Sequence, residues 1–286
     1  MNILSFDIED WFHILDHEEV SDKSSWKKFP SRLEDGLEKI LQLLNEKEVS
    51  ATFFCLGWVA SDYPELIKKI IQHGHEIGSH SNLHTLVYTQ TPSEFKIDLK
   101  KSIDLLEDVS GQKIKIYRAP GFSIGKSEKW AFEIMTELGI EIDCSVFPAK
   151  RAHGGFKNFP ASGPSILNLN TNILKIMPMN IKKFFNFEYV FSGGGYFRLF
   201  PYKFIKNMMK NSDYVMTYFH PRDFDPDQPM MPNLSNLRKF KSYYGLKSSE
   251  KKLNNLLDDF VFINVSQADK MINWSNAPKL EIDAIN

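Results

Sequence analysis

The stretch "RLEDGLEKILQLLNEKEVSATFFCLG", residues 32–57, decides the fold because a helix pattern passes directly into a strand pattern. Its first part repeats apolar residues at the spacing of an amphipathic helix: Leu33, Leu37, Ile40, Leu41 and Leu44. Its second part, residues 50–57, is a β-branched and aromatic run that ends at Gly57. Together with the apolar run "NILSF" at residues 2–6, these segments predict one β-α-β unit with two parallel strands.

The same alternation of strand and helix patterns continues along the chain. The helix pattern at residues 91–111 begins with Thr91 and Glu94 at capping-box spacing, and Gly111 ends it. We count about seven or eight strands with helical crossovers, which favours a parallel sheet, either closed as a barrel or open and doubly wound. A Gly-rich phosphate loop does not follow the first strand, and this weakens the dinucleotide-binding form of the open sheet.

Length and composition suit one sizeable core. The chain has 286 residues, 42% of them hydrophobic, and neither a repeat nor a long linker divides it. We therefore predict a single domain over residues 1–286. Residues 149–200 are the weakest part of the pattern and predict extended loops or a hairpin inserted near the site.

Charge and cysteine content limit the partners and the compartment. A net charge of -1 gives no global attraction to nucleic acid or anionic lipid, so we expect a small or neutral substrate and no nucleic-acid partner. No apolar run approaches the roughly 20 residues of a membrane helix, and the first residues lack an export signal. Cys55 and Cys144 lie in apolar runs, which indicates reduced core thiols and predicts a cytoplasmic protein.

Unusual polar residues follow the predicted strands, at the rim where parallel α/β folds assemble their active sites. They are Asp7, Glu9 and Asp10 after the first strand, His80 and His84 after the third, Arg118 after the fourth, Asp143 near the fifth, and His220 after a later one. Carboxylates crowded beside apolar rings require a cation, a proton or a solvated surface. The pattern therefore predicts a site that holds positive charge.

The histidine pair in "HSNLH" indicates what that positive charge is. If residues 81–84 begin a helical turn, the imidazoles of His80 and His84 project from one face and can bind one cation together. Two imidazoles and one carboxylate leave open positions for water and substrate, as catalytic metal sites require. We predict a divalent cation as cofactor, Zn²⁺ first, with Co²⁺, Mn²⁺ or Fe²⁺ as alternatives.

At these residues the chain resembles the polysaccharide deacetylase family, the carbohydrate esterases with a NodB homology domain. The matching motifs occur in the family's order over roughly residues 1–266: "SFDIED", "HSNLH", "RAPG", "IDCSVFP" and "TYFHP". The phrases "DIEDWFH" and "FSGGGYFRLFP" are similar to a branch tied to cell-surface or exported polysaccharide biosynthesis. The resemblance implies a deformed (β/α) barrel with about seven parallel strands and the metal-dependent removal of an N-acetyl group from an amino sugar.

The resemblance also assigns roles to residues of this sequence. Asp7 matches the general base, His220 the general acid, Arg118 the residue that orients the base, and Asp143 either the support of that arginine or the acid. His80 and His84 match the metal imidazoles. The first motif departs from the common pair of adjacent aspartates, because Ile8 follows Asp7, so either Glu9 or Asp10 is the carboxylate ligand.

Substrate contacts are expected at two further places. The rings of Trp11 and His13 offer aromatic surface for a sugar, and a backbone N–H in the loop formed by Pro120, Gly121 and Phe122 can stabilise an oxyanion. The expected partner is an N-acetylated saccharide or a nucleotide-linked or lipid-linked sugar. Two alternatives stay open: an amidase of the same fold that opens a cyclic imide or ureide, and a non-catalytic saccharide-binding protein. The matched acid and base argue against the second of these.

Overall fold

The chain is built on short strands that run mostly parallel. The computed structural model describes residues 1–15, 17–20, 22–151, 153–184 and 187–285, with the backbone alone at 184 and 187. The strands are β1 (Asn2–Ile3), β2 (Ser5–Ile8), β3 (Thr52–Cys55), β4 (Glu76–Ser79), β5 (Ile116–Tyr117), β6 (Ile142–Asp143), β7 (Ser165–Asn168), β8 (Ile173–Ile176), β9 (Lys182–Phe184), β10 (Phe187–Tyr189), β11 (Val215–Met216) and β12 (Lys279–Glu281).

Helices separate most of the strands, as the sequence predicts. They are α1 (Lys23–Trp26), α2 (Leu33–Glu46), α3 (Gly57–Asp62), α4 (Pro64–Gln72), α5 (Pro92–Ser110), α6 (Trp130–Glu137), α7 (Gly194–Leu199), α8 (Tyr202–Lys210), α9 (Asn236–Tyr243), α10 (Leu246–Asp259) and α11 (Val265–Met271). The predicted capping box at the start of α5 is confirmed: the Thr91 side chain accepts from the Glu94 amide, and Gly111 ends the helix with φ of 67°.

The parallel strands form a curved wall. Strands β2, β3, β4, β5, β6 and β8 lie side by side in that order, each parallel to its neighbour. On the other side of β2, the segment that follows β11 continues the wall through a parallel bridge between Phe6 and Phe219. With β11 the wall has seven parallel strands, and the predicted deformed (β/α) barrel is confirmed.

The predicted hairpin region is also present, although part of it belongs to the wall. Strands β7 and β8 are antiparallel, as are β9 and β10, and β12 adds to the outer edge of β7. Strand β8 nevertheless pairs in parallel with β6. The region is therefore a structural part of the barrel as well as an insertion.

Two apolar layers hold the wall between them. In β3, Phe53 packs in the outer layer with helix residues such as Leu37, whereas Phe54 packs inside with Ile116 and Met216. This follows from the two-residue alternation of a strand that is buried on both faces. Cys55 and Cys144 are buried free thiols. Within the described residues, no helix has both the length and the apolar character needed to cross a bilayer.

Candidate functional site

The carboxyl ends of neighbouring strands bring the predicted polar residues together. Strand β2 carries Asp7 and is followed by Glu9, β4 is followed by His80, and β5 is followed by Arg118. His220 follows the segment that is bridged to β2 at Phe219. Because these strands are parallel and adjacent, their carboxyl ends share one rim.

Glu9, His80 and His84 form a cluster that suits a metal ion. One ligand atom from each lies within 4.8 Å of the others, and a Glu9 carboxylate oxygen contacts His84 Nε2 directly. Glu9 and His80 are buried. A buried carboxylate beside two imidazoles is the donor set of a catalytic zinc site.

The hydrogen bond of His80 fixes its free nitrogen. Its Nδ1 lies 2.8 Å from the backbone carbonyl oxygen of Arg118, and because a carbonyl only accepts, Nδ1 carries the proton. Burial lowers the pKa of His80 to about 4, so the ring is neutral. Its Nε2 therefore keeps the lone pair that a cation requires, and the Arg118 carbonyl holds the ring in orientation.

Residues 81–84 do not form the helical turn that would place both imidazoles on one face. Ser81 and His84 have φ of 69° and 58°, in the left-handed region that a helix does not use. The carbonyls of Ser81 and Asn82 accept the first amides of α3, from Gly57 at 2.9 Å and Trp58 at 3.0 Å. The loop is thus bound to a helix N-terminus, and this shape brings the two imidazoles together.

Asp10 lies outside the cluster, although the sequence left it as an alternative to Glu9. Its Oδ1 accepts from the amides of Trp11 at 2.8 Å and Arg32 at 3.2 Å. Burial raises the pKa of Asp10 to about 6. The structure therefore places Glu9, and not Asp10, at the histidine pair.

Asp7 and Arg118 form a buried ion pair beside this cluster. Arg118 Nη1 lies 2.7 Å from Asp7 Oδ1, and the arginine is fully buried with Cζ 4.0 Å from the ring centre of Phe54. The other Asp7 oxygen, Oδ2, lies 3.9 Å from His220 Nε2. Arg118 thus holds one carboxylate oxygen and leaves the other facing the site.

His220 lies between two carboxylates. Its Nδ1 is 2.9 Å from Asp223 Oδ2, and its Nε2 is 3.2 Å from Glu9 Oε1. Burial opposes the charge on His220, but Glu9, Asp223 and Asp7 together outweigh burial and raise the pKa to about 9. The imidazole is therefore protonated at neutral pH, as a proton donor must be.

Asp223 is a site residue that the sequence reasoning missed. Arg198 Nε lies 3.0 Å from its Oδ1, so the carboxylate that holds His220 is itself fixed by a buried arginine. The carboxylate at His220 Nδ1 is thus Asp223, and no contact between His220 and Asp143 is found among the described residues. The sequence does hold a signal for this contact, because Asp223 lies three residues after His220 in "HPRD".

Asp143 lies beneath the rim and has no exposed surface. Burial raises its pKa to about 7, against which Ser145, Val146 and Arg118 act. The ion-pair partner of Arg118 is Asp7. The position agrees with a supporting role near Arg118 more than with a group that touches substrate.

The expectation that Trp11 offers a surface to a sugar is wrong. Trp11 is 4% exposed, its Nε1 donates to the Pro30 carbonyl at 2.9 Å, and its ring packs against Phe12 and Phe29. An aromatic side chain beside carboxylates can line a substrate surface or pack in the core. Trp11 packs in the core.

His13 lies at the edge of a cavity that adjoins the cluster. Its ring centre is 4.3 Å from that of Trp26 and 5.7 Å from that of His84. The cavity measures about 490 Å³, and its lining includes His13, Trp26, Leu83, His84, Leu86 and Thr89. It is large enough for a sugar and opens beside the histidine pair.

The turn formed by Pro120, Gly121 and Phe122 presents a free amide. Among the described residues, the Gly121 N–H has no hydrogen-bond acceptor, whereas the Phe122 N–H donates to Ala119 at 3.0 Å. Gly121 has φ of 61°, and a Cβ there would lie 2.8 Å from a Leu15 methyl carbon, so this position requires glycine.

Two sequence families match this chain, one after the other. Residues 18–142 match the family described as polysaccharide deacetylase. Residues 144–270 match a domain of unknown function, DUF3473. Residues Asp7 and Glu9 precede both matches, and His220 lies in the second.

Curated relatives resemble part of the chain. Over 96 residues it is 34% identical to a peptidoglycan-N-acetylglucosamine deacetylase of Bacillus cereus, covering 33% of this chain and 35% of the relative. Over 102 residues it is 30% identical to the peptidoglycan-N-acetylmuramic acid deacetylase PdaA of Bacillus subtilis, covering 35% of this chain and 39% of that one. The matches thus span little more than a third of these relatives.

Solved structures resemble nearly the whole chain. A protein from Mycobacterium smegmatis assigned as a polysaccharide deacetylase has a TM-score of 0.62 at 17% identity, over 97% of this chain and 91% of that one. A CE4-family pseudoenzyme from Bacillus anthracis has a TM-score of 0.52 at 14% identity, over 93% and 64%. At such identities the likeness shows the fold alone.

Proposed function

Since the chain belongs to the polysaccharide deacetylase family, we propose that it is a metal-dependent hydrolase that removes an N-acetyl group from an amino sugar. The observation that carries the proposal is the convergence at one rim of the Glu9, His80 and His84 cluster with the Asp7–Arg118 pair and His220. A binding module has no need for a held carboxylate and a protonated imidazole beside a metal-capable cluster.

Glu9, His80 and His84 would hold the metal. The donor set fits, because His80 Nε2 is unprotonated and the Glu9 oxygen that contacts His84 has no other hydrogen-bond partner in the described part of the chain. When bound, a divalent ion such as Zn²⁺ lowers the pKa of a coordinated water and polarises the acetyl carbonyl.

Asp7 would remove the proton from the attacking water. Arg118 fixes its Oδ1 and balances its charge, and Oδ2 faces the site at 3.9 Å from His220 Nε2. The guanidinium fork fixes the direction of the carboxylate, as a base requires. The free N–H of Gly121 would then stabilise the negative charge that develops on the carbonyl oxygen.

His220 would protonate the departing amine. An amide nitrogen is a poor leaving group without a proton, and against the effect of burial the hydrogen bond and charge of Asp223 raise the pKa of His220 and so favour its protonated form. Asp223 holds Nδ1, so that Nε2 is the nitrogen that faces the site. The proposed acid therefore lies beside both the proposed base and Glu9, with its Nε2 3.9 Å from Asp7 Oδ2 and 3.2 Å from Glu9 Oε1.

We propose further that residues 1–286 act as one catalytic domain. The contacts of Asp7 with Arg118 and His220 join the N-terminal strand to both matched segments. A nucleotide-linked or lipid-linked N-acetylated precursor of a surface polysaccharide is the proposed substrate, and the cytoplasm is the proposed location. The curated relatives' names support an N-acetylated saccharide.

The test measures acetate released from N-acetylglucosamine oligomers and peptidoglycan fragments. Removal of metal by a chelator should abolish release, and Zn²⁺ should restore it. His84→Ala should behave like chelated protein, whereas His73→Ala, which removes an exposed histidine, should stay active. Acetate release that survives chelation would overturn the metal requirement. Metal-loaded protein that binds these saccharides without releasing acetate would indicate a non-catalytic saccharide-binding protein, and hydrolysis of a cyclic imide instead would indicate the amidase.

A further inference from the structure

The loop after β6 is fastened to the turn that carries Gly121 and Phe122. The Gly155 amide donates to the Phe122 carbonyl at 2.9 Å, and the Arg151 amide donates to the Gly154 carbonyl at 3.1 Å. A Cβ at Gly154 would lie 2.4 Å from the Phe122 oxygen, so the close approach requires glycine. The backbone of Arg151 is therefore held beside the proposed oxyanion donor.

The Arg151 guanidinium lies on aromatic faces. Its Cζ is 4.4 Å from the ring centre of Phe147, 5.1 Å from that of Phe122 and 5.8 Å from that of Tyr218. Its Nη1 is buried and has no hydrogen-bond partner among the described residues. Aromatic faces favour the cation, but they do not replace the hydrogen bonds that a buried N–H requires.

Four other arginines of the chain have carboxylates near them. Arg32, Arg118 and Arg198 are paired with Asp225, Asp7 and Asp223. Arg222 lacks an ion pair within 4.0 Å in the described part of the chain, yet Asp223 and Glu9 lie near enough to act on its charge. The Arg151 side chain has a hydrogen bond with Tyr218 but no ion pair in the described part of the chain, so its charge is not balanced by a carboxylate there and its Nη1 still lacks an acceptor.

The same rings connect Arg151 to the catalytic groups. Phe122 also lies 5.6 Å from Arg118 Cζ, and the Tyr218 ring centre is 6.0 Å from that of His220. Arg151 is therefore separated from each of these groups by a single aromatic ring.

We propose that Arg151 binds an anionic substituent of the saccharide, a carboxylate or a phosphate, and so selects acidic N-acetylated sugars. This inference rests on the proposed function, because it takes the saccharide site as given. A planar guanidinium matches both oxyanions with paired hydrogen bonds.

The test compares the binding of three sugars by calorimetry, with no need for turnover. N-acetylmuramic acid supplies the carboxylate, N-acetylglucosamine 1-phosphate supplies the phosphate, and N-acetylglucosamine is the neutral reference. The wild-type protein should bind at least one acidic sugar roughly tenfold to hundredfold more tightly than the neutral one, as expected for a hydrogen-bonded charge pair. The sugar that shows the gain identifies the anion.

Variants then assign the preference to one side chain. Arg151→Gln should remove it and leave the binding of N-acetylglucosamine unchanged, and Arg151→Lys should keep part of it, because a point charge lacks the fork. Lys150→Gln removes an exposed neighbouring cation and should keep all of it. Equal binding of the three sugars by the wild type, binding of none, or a preference that survives Arg151→Gln would overturn the proposal. Failure to release acetate would count against the proposed function alone, because binding is measured separately.

Discussion

His220 Nε2 lies 3.2 Å from Glu9 Oε1, so one carboxylate contacts the proposed acid and also belongs to the metal-capable cluster. Glu9 precedes the segment that matches the polysaccharide deacetylase family, and His220 lies in the segment of unknown function. That second segment also supplies Asp223 and Arg198, which hold His220 in place. The contact therefore joins the end of β2 to the second segment, and both must fold together for the proposed chemistry.

The position of Glu9 predicts a contrast between two neighbouring carboxylates. Glu9→Gln should weaken Zn²⁺ binding by more than roughly 100-fold, since even the outer partners of a metal ligand are worth 10–100-fold. Asp10→Asn should leave metal affinity unchanged, because its Oδ1 still accepts from the amides of Trp11 and Arg32. Titration of the two variants with Zn²⁺ shows which of the two carboxylates is the metal ligand. Equal affinity in both would remove Glu9 from the ligand set.

Strand geometry contained the signal that distinguishes these two residues. Side chains two positions apart project to the same face of a strand, so a strand pattern extended past Ile8 would group Asp7 with Glu9 and oppose Asp10. Periodicity alone likewise predicts the order of the strands and helices. It also predicts the amphipathic helices and the rim at which the polar residues meet.

Other features of the site had no local signature. Ser81 and His84 adopt left-handed φ without being glycine or asparagine, because the loop is bound to the first amides of α3. Burial of Trp11 depends on Phe29, which lies 18 residues later and on a separate segment. Such contacts are set by tertiary packing, which one sequence does not display.

The buried pair of Arg118 and Asp7 predicts that the charge and the shape of the arginine have different effects on stability and turnover. Arg118→Met should cost about 3–5 kcal/mol of unfolding free energy, because it leaves a buried carboxylate without a partner. Arg118→Lys keeps the charge but not the fork, so we expect turnover to fall by about 10²-fold. Metal content should stay normal in both, since His80 is held by the main-chain oxygen of residue 118. Denaturant unfolding, acetate release and metal analysis test the three statements, and wild-type turnover in Arg118→Lys would contradict the orienting role.

His75 predicts how stability depends on pH. Burial, with a contribution from His73, lowers its pKa from 6.5 to about 4, and neither ring nitrogen has a hydrogen-bond partner in the described part of the chain. Between these values the unfolded chain binds more protons than the folded one, so stability falls as the pH decreases from 6.5 to about 4. The loss from this group is on the order of 3 kcal/mol.

His75→Leu should remove that part of the pH dependence, because the substituted side chain does not titrate. Urea unfolding at pH 7 and at pH 4.5 measures it, with Gln72→Leu as the control at an exposed residue that does not titrate. If His75→Leu lost as much stability as the wild type over this range, the acid sensitivity would belong to other groups.

The proposed acid is tested most directly by changing the leaving group. Protonation by a positioned acid is worth roughly 10²–10⁴-fold, so His220→Ala should lose about that much turnover on an N-acetyl substrate. The loss should be far smaller on an acetyl ester with an activated phenol, since that leaving group departs without a proton. Measured metal content should stay close to that of the wild type, because His220 is not among the three clustered residues. Equal losses on amide and ester would show that His220 serves substrate positioning or the cluster instead of the leaving group.

A second variant tests the carboxylate that holds His220. Asp223→Asn should reproduce part of the loss on the amide substrate, because it removes the charge that holds the proton on His220. It keeps an oxygen at 2.9 Å from His220 Nδ1, so the ring should stay in place.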